Sequence, residues 1–140
     1  MKKFNTIFAA VFFFIQIVHC SLIIDNCKAQ WVQTSGPSGG GTVNCIAISG
    51  QSIFAGMGSY ASYGGVYLST DYGGSWAAAG LINIEVRSLV INGPNIFACA
   101  GSSGIFLSTN NGGSWTAKNN GLQDHSILSL VTRENNIFAG

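Results

Sequence analysis

The sequence predicts an all-β fold built from repeated units of about forty residues. Three segments align without a gap, alternate apolar residues and end on Ile-Phe-Ala; they are residues 43–55, 86–98 and 127–139. No useful stretch with helical periodicity follows Gln30, and 19 of the 140 residues are glycine, as tight turns require. Four-stranded antiparallel units of this size are typical of propeller blades. We therefore predict a β-propeller fragment with about two complete blades and part of a third.

Each unit divides into four short strands. In the first unit we predict strands at residues 43–48, 53–56 and 66–69, and a fourth that begins at Trp76. Apolar residues occupy both the odd and the even positions of the first strand, which predicts that both of its faces are buried. The predicted blades span approximately residues 43–80, 86–118 and 127–140, the last one truncated. A solenoid of stacked hairpins is the alternative, although β-solenoid repeats are usually shorter.

The first 29 residues have the pattern of a secretory signal peptide. Lys2 and Lys3 precede an apolar run at residues 7–18, and the small residues Cys27 and Ala29 suit a cleavage site. We therefore expect a secreted, cell-surface or periplasmic protein whose mature domain is residues 30–140.

Two other interpretations of this leader remain open. An uncleaved membrane anchor would have to include or closely approach the polar residues Gln16, His19 and Asp25. Lipidation of Cys20 would require a small residue before the cysteine, and His19 stands there. A membrane is therefore an expected partner only through an uncleaved leader.

Cleavage would leave three basic and four acidic side chains, so no basic surface is predicted to attract nucleic acid. Cys45 and Cys99 would remain in an exported chain, where a disulfide is permitted. They occupy different positions in different repeats, which favours two buried free thiols.

Each complete unit also contains a short motif, S-x-D-x-G-x-x-W. Its first copy is at residues 69–76, here called the first motif turn. It returns at residues 108–115, the second motif turn, with Asn110 at the aspartate position. In such a turn the acidic or amide side chain accepts backbone hydrogen bonds, glycines adopt positive φ angles and the tryptophan packs between blades. A catalytic acid would not tolerate asparagine, so we interpret the motif as structural. Its residues are Ser69, Asp71, Gly73, Trp76, Ser108, Asn110, Gly112 and Trp115.

These two motif copies resemble the Asp-box, and the chain is similar to the BNR/Asp-box β-propellers. That family includes sialidases, xyloglucan-type endoglucanases, sortilin-like receptors, photosystem II assembly factors and secreted bacterial repeat proteins. The resemblance implies the fold but no single activity. It also implies that a binding or active site lies on the face opposite the Asp-box turns.

By strand count, that opposite face carries the loops between second and third strands and the links between blades. One such loop, residues 57–64, is longer than its counterpart in the next unit and adds two tyrosines that can stack on a sugar ring or a partner side chain. An exposed loop without a binding role is the plainer interpretation. The candidate binding residues are Tyr60, Tyr63, Glu85, Asp124 and His125.

The sequence offers little support for catalysis. A sialidase-like site requires three arginines, and only Arg87 and Arg133 remain after the leader. Glu85 and Asp124 come from successive blade links, and nothing marks them as the carboxylate pair of a glycosidase. We therefore favour an exported, non-catalytic protein that binds a protein or glycan and needs no cofactor or metal. The alternative is a fragment of a secreted glycoside hydrolase whose catalytic residues lie in missing blades.

The repeat pattern stops within its third unit, whereas a closed propeller has at least four blades. We therefore interpret the chain as a piece of a longer protein. An open set of blades leaves an apolar edge uncovered, so we expect the isolated chain to be poorly stable or to associate through that edge.

Overall fold

The computed structural model describes residues 33–37, 41–58 and 63–140. The predicted leader, Trp31 and Tyr60 lie outside the described residues. Within them the strands are β1 Val43–Ser49, β2 Ser52–Met57, β3 Gly65–Ser69, β4 Ala77–Ala78, β5 Ser88–Asn92, β6 Asn95–Cys99, β7 Ile105–Ser108, β8 Thr116–Ala117, β9 Leu130–Arg133 and β10 Asn136–Ala139. A single turn of 3-10 helix, Gly101–Ser103, separates β6 from β7. In this part of the chain no helix is long and apolar enough to span a membrane.

The strands form three antiparallel sheets in chain order. Blade 1 is β1-β2-β3-β4, blade 2 is β5-β6-β7-β8, and β9 pairs with β10 to begin blade 3. The fold-class prediction is confirmed: the described chain is all-β, with two four-stranded blades and part of a third. The fourth strands are only two residues long and begin one residue after the motif tryptophan.

Two apolar clusters hold the blades together. In the first, Phe54 and Val66 of blade 1 pack against residues of the second unit. These are Val86, just before β5, and Leu89 and Ile96 in blade 2; all five side chains are buried. A smaller cluster joins blade 2 to blade 3; its buried members are Cys99, Ile105 and Leu130. The core therefore lies between the sheets, because each sheet buries its faces against its neighbours.

The prediction that β1 is buried on both faces is wrong. Ile46 and Ile48 are 59% and 65% exposed, whereas the equivalent residues of β5, Leu89 and Ile91, pack against blade 1. The sequence pattern reports which side chains are suited to burial. Burial also requires a neighbouring blade, and among the described residues none covers this face of β1.

The first hairpin of each blade uses a two-residue turn whose first residue has a positive φ angle. Gly50 and Gly93 take φ 59° in blades 1 and 2, and Glu134 takes φ 54° at the same place in blade 3. Left-handed backbone costs a non-glycine residue about 1 kcal/mol, because its Cβ approaches the following carbonyl oxygen. Glu134 therefore stores local strain that its two counterparts avoid.

We expect Glu134→Gly to stabilise the fold by about 1 kcal/mol, less the extra chain entropy of glycine. The midpoint of urea denaturation at a fixed protein concentration measures the change. The matched control is Asn136→Gly in β10, where glycine should lower the midpoint because it removes a side chain from a strand. A midpoint lowered equally by both variants would contradict the strain.

Candidate functional site

The first motif turn is closed by side-chain hydrogen bonds. Asp71 Oδ1 accepts from Ser69 Oγ (2.8 Å) and from the backbone N–H of Ser75 (2.8 Å). Asp71 Oδ2 accepts from Ser75 Oγ (2.7 Å). Ser69 Oγ, which is buried, accepts in turn from the N–H of Gly73 (2.8 Å). The polar side-chain atoms of Ser69, Asp71 and Ser75 are thus bonded within the turn.

The second motif turn repeats this arrangement with an amide. Asn110 Oδ1 accepts from Ser108 Oγ (3.0 Å) and from the N–H of Ser114 (2.9 Å), and Ser108 Oγ accepts from the N–H of Gly112 (2.9 Å). The remaining contact reverses its direction: Asn110 Nδ2 donates to Ser114 Oγ (3.0 Å), whereas Ser75 Oγ donates to Asp71. The serine hydroxyl therefore serves either partner.

The positive φ angles fall on two adjacent residues of each turn. Gly73 and Gly112 adopt φ 88° and 84°, and a Cβ on Gly112 would come within 2.9 Å of the Ala79 Cβ. The expectation that glycines take these angles is only partly right, because the residues before them, Tyr72 and Asn111, also have φ of 58° and 54°. The second glycine of each turn is not in this region.

The two motif tryptophans differ in their hydrogen bonding. Trp115 packs between blades: its Nε1 donates to the Ala79 carbonyl of blade 1 (2.7 Å), and its ring lies where a Cβ on Gly80 would be. Trp76 Nε1 is buried and has no hydrogen-bond partner among the described residues. Trp115 therefore adds a directional contact to the apolar packing between blades.

Hydrogen bonding lowers the pKa of Asp71 to about 2. The largest contribution comes from the backbone N–H of Ser75, followed by the hydroxyls of Ser75 and Ser69. A carboxyl group held ionised in this way is a poor proton donor at neutral pH. The turn is therefore suited to closing a hairpin and unsuited to acid catalysis.

The opposite end of the blades, here called the loop face, is formed by the loops and links that the strand count placed together. The N–H of Asn83 in the first blade link donates to the Gly64 carbonyl beside β3 (2.9 Å). In blade 2, Asn119 Nδ2 donates to the Ser103 carbonyl (3.1 Å). Tyr63 lies next to Gly64 and is 43% exposed. Its companion Tyr60 is outside the described residues.

Glu85 lies in the link that precedes β5 and forms an ion pair with Arg87 (3.1 Å). Arg87 is exposed and Glu85 is half-buried. The pair lies beside the 3-10 turn, because a Cβ on Gly101 would come within 3.6 Å of Glu85 Oε2. The negative charge of Glu85 is therefore balanced by the guanidinium of Arg87.

Asp124 and His125 are exposed in the link that precedes blade 3. Asp124 Oδ1 accepts from the N–H of Ser126 (2.8 Å), and this hydrogen bond is the main cause of the lowered pKa of Asp124. Among the described contacts neither residue is joined to Glu85 or Tyr63. The structure thus places the four described candidates in loop-face segments without assembling them into one hydrogen-bonded site.

Both cysteines among the described residues are free thiols, as predicted, but only Cys99 is fully buried and Cys45 is half-buried. Burial raises the pKa of the Cys45 thiol to about 11 and also raises the pKa of Cys99. Neither is therefore a reactive thiolate at neutral pH. In the described part of the chain no three His, Cys, Asp or Glu side chains are grouped to hold a metal ion.

A groove of about 320 Å³ lies between blade 1 and the second motif turn, where no sequence pattern predicted one. Its walls are Leu68, residues 77–80 and residues 110–113, none of which is titratable. The sequence feature that could have indicated the groove is a run of three alanines that faces a pair of glycines. These small residues leave space between the blades. Small side chains and backbone groups suit this groove for contact and not for catalysis.

Comparison with known proteins identifies the fold and nothing finer. No family model and no curated protein matches the chain. Among solved structures the chain is similar to an ancestral GH74 enzyme, with a TM-score of 0.54 and 24% identity over 70% of this chain. The match covers 16% of that enzyme's chain. At this identity the similarity supports a propeller-type fold only.

The tryptophan difference gives a matched pair of variants. We expect Trp115→Phe to cost about 1 kcal/mol beyond its packing loss, because it leaves the buried Ala79 carbonyl without its donor. Trp76→Phe removes an N–H without a described partner and should cost less. Urea denaturation midpoints measure both. A larger loss at Trp76 would contradict this assignment.

The two motif turns also predict a pH dependence. The folded pKa of Asp71 lies below its ordinary value, so its stabilising contribution is present above about pH 4 and is lost as pH falls towards about 2. Asp71→Asn should flatten the fall in melting temperature over this window. Asn110→Asp should steepen it, and the double variant should restore the original profile. Identical profiles for all four proteins would rule the mechanism out.

Proposed function

We propose that this chain is an exported, non-catalytic β-propeller segment of the BNR/Asp-box class that binds a neutral polysaccharide through the loop face. The observation that carries the proposal is the contrast between the two ends of the blades. At the motif end, the side chains of Asp71 and Asn110 are bonded within their turns. At the loop end, Tyr63, Asp124 and His125 are exposed. The motif end also has an exposed ring, Tyr72, but that ring belongs to a turn whose polar side chains are already bonded.

Tyr63 is the anchor of the proposed site. Its exposed ring offers an apolar surface with a polar tip, which suits the face of a pyranose ring and its hydroxyls. The residue after Tyr63, Gly64, accepts a hydrogen bond from the N–H of Asn83 in the first blade link. A tyrosine next to a hydrogen-bonded backbone position loses less conformational freedom on binding than one on a free segment.

The charge near this anchor supports a neutral ligand. Glu85 is paired with Arg87, so this part of the loop face has no excess of either sign. An anionic polymer would be expected to require a basic cluster, and a cationic one an acidic cluster. The signal-peptide pattern at residues 1–29 supports export to a compartment where polysaccharides are met.

A second candidate is a segment of a glycoside hydrolase propeller. The similarity to an ancestral GH74 enzyme favours it, with the qualification that this chain matches 16% of that enzyme. In this case the loop face would contribute a sugar-contacting surface, and the catalytic carboxylates would lie outside the described residues. Both candidates share a glycan ligand and differ in whether a glycosidic bond is cleaved.

Affinity electrophoresis of the full chain tests the proposal. We expect retardation in gels that contain hydroxyethyl cellulose or xyloglucan, both neutral β-glucans, and none with polygalacturonate. Tyr63→Ala should weaken binding about three- to tenfold, because it removes one stacking surface. Tyr72→Ala is the control, since Tyr72 is 70% exposed but belongs to the first motif turn.

A parallel assay for new reducing ends tests whether the chain itself cleaves the glycan. Binding without release of reducing ends supports glycan binding at the loop face, which both candidates share. Release that Tyr63→Ala reduces would favour the hydrolase. Equal mobility in all gels, or equal loss of binding in both tyrosine variants, would refute glycan binding at the loop face and leave a protein ligand to be sought.

A further inference from the structure

The sequence contains three Asn-Gly pairs, which begin at Asn92, Asn111 and Asn120. Such a pair can react with itself, because glycine has no Cβ to keep its backbone nitrogen away from the side-chain amide carbon of the asparagine. All three pairs have the same reactive dipeptide, so the sequence alone does not rank them. The folded structure distinguishes them by their hydrogen bonds.

The pair in the second motif turn is held by its backbone. The N–H of Gly112 donates to Ser108 Oγ (2.9 Å), and both Gly112 and Ser108 are buried. The nitrogen that would attack the side chain of Asn111 is therefore engaged in a hydrogen bond and shielded from water. This pair can react only after the turn opens.

The pair in the first hairpin of blade 2 is held by its side chain. Asn92 Nδ2 donates to the Glu134 carbonyl of blade 3 (2.9 Å), and Asn92 pairs with Asn95 as the last residue of β5. The amide group that would leave as ammonia is thus bonded to a neighbouring blade. Reaction at this pair requires that hydrogen bond to break first.

The third pair lies in the link after β8 and lacks both constraints. Asn120 and Gly121 are exposed, and among the described residues neither the Asn120 side chain nor the Gly121 N–H has a hydrogen-bond partner. The turn that carries them is closed by the N–H of Leu122, which donates to the Asn119 carbonyl (3.1 Å). Asn119 Oδ1 also accepts from the N–H of Ile105 (2.8 Å). The turn is therefore anchored at its ends, whereas the reactive pair at its tip is free.

The exposure of Asn120 is a property of this turn and not of the short third sheet. The first blade link makes the same turn, in which the N–H of Ile84 donates to the Leu81 carbonyl (3.1 Å). Ile82 stands there at the position of Asn120 and is 50% exposed, although blade 2, which follows it, has all four strands. A blade link thus presents this position to solvent when the following blade is complete.

We propose that Asn120 is a site of spontaneous deamidation on the loop face. The backbone nitrogen of Gly121 attacks Cγ of Asn120 and forms a new C–N bond. The proton of that nitrogen and the side-chain NH₂ group leave together as ammonia. Water then cleaves one of the two C–N bonds of the resulting cyclic imide. Cleavage at the side-chain carbonyl gives aspartate, and cleavage at the main-chain carbonyl gives isoaspartate, whose main chain is longer by one methylene group.

Either product changes the loop face. A carboxylate replaces a neutral amide, so a negative charge is added to a surface on which Glu85 and Arg87 balance each other. The added methylene of isoaspartate also alters the turn whose first residue, Asn119, is bonded through its side chain to the Ser103 carbonyl (3.1 Å). The reaction needs water as its only co-reactant, so it proceeds without an enzyme or cofactor.

Peptide mapping by mass spectrometry of the full chain, kept folded in mildly alkaline buffer, tests the proposal. We expect the peptide that contains Asn120 to gain about one dalton first, with isoaspartate in the product. Asn92 should react about fivefold more slowly, which corresponds to breaking one hydrogen bond, and Asn111 more slowly still. The same incubation in urea is the control, because unfolding removes these hydrogen bonds and should bring the three rates together.

Asn120→Gln is the matched variant, because glutamine would have to form a larger ring. It should abolish the gain in mass in its own peptide and leave the rates at Asn92 and Asn111 unchanged. Equal rates at the three pairs in the folded chain, or a faster reaction at Asn92 or Asn111, overturn the proposal. So does an Asn120 that reacts in urea but not in the folded chain. A product that contains aspartate without isoaspartate also overturns it, because direct hydrolysis by water would then replace the attack by Gly121.

Discussion

Apolar side chains that pass from one blade into the next are the constraint on which the rest of the structure depends. A single four-stranded sheet has no interior, so Phe54 and Val66 are buried only because Val86, Leu89 and Ile96 lie opposite them. The blades must therefore stack in one orientation. This stacking, in turn, collects all the motif turns at one end and all the loops and links at the other.

The two ends use polar residues in opposite ways. In the motif turns, carboxylate, amide and hydroxyl groups are bonded to one another and to nearby backbone, which explains the low pKa of Asp71. At the loop face, Tyr63 and His125 are exposed, and Glu85 is paired with an exposed arginine. The polar side chains of the motif turns are thus used within the turns, whereas the loop face has exposed aromatic and charged side chains.

The strands were predictable because period-two patterns and turn residues depend on local geometry. The same pattern also recurs in three aligned repeats, which strengthens the prediction. Three features were not predictable for three different reasons. Ile46 is exposed because burial depends on a neighbour that the pattern does not contain. Glu134 takes a positive φ because the hairpin imposes it on a residue that does not prefer it. The groove beside Ala77 and Ala78 depends on the distance between two blades, and no local pattern encodes that distance.

The reversed hydrogen bond at Ser114 has a consequence for how such turns are found in other sequences. A hydroxyl can rotate to donate to aspartate or to accept from asparagine, so the serine four residues after Asp71 or Asn110 can bond to either side chain. Substitution between the acid and the amide then keeps the number of side-chain hydrogen bonds in the turn, whereas loss of the serine would leave either partner with fewer bonds. A search pattern centred on the serines would find both copies in this chain; one that requires the aspartate would overlook the second.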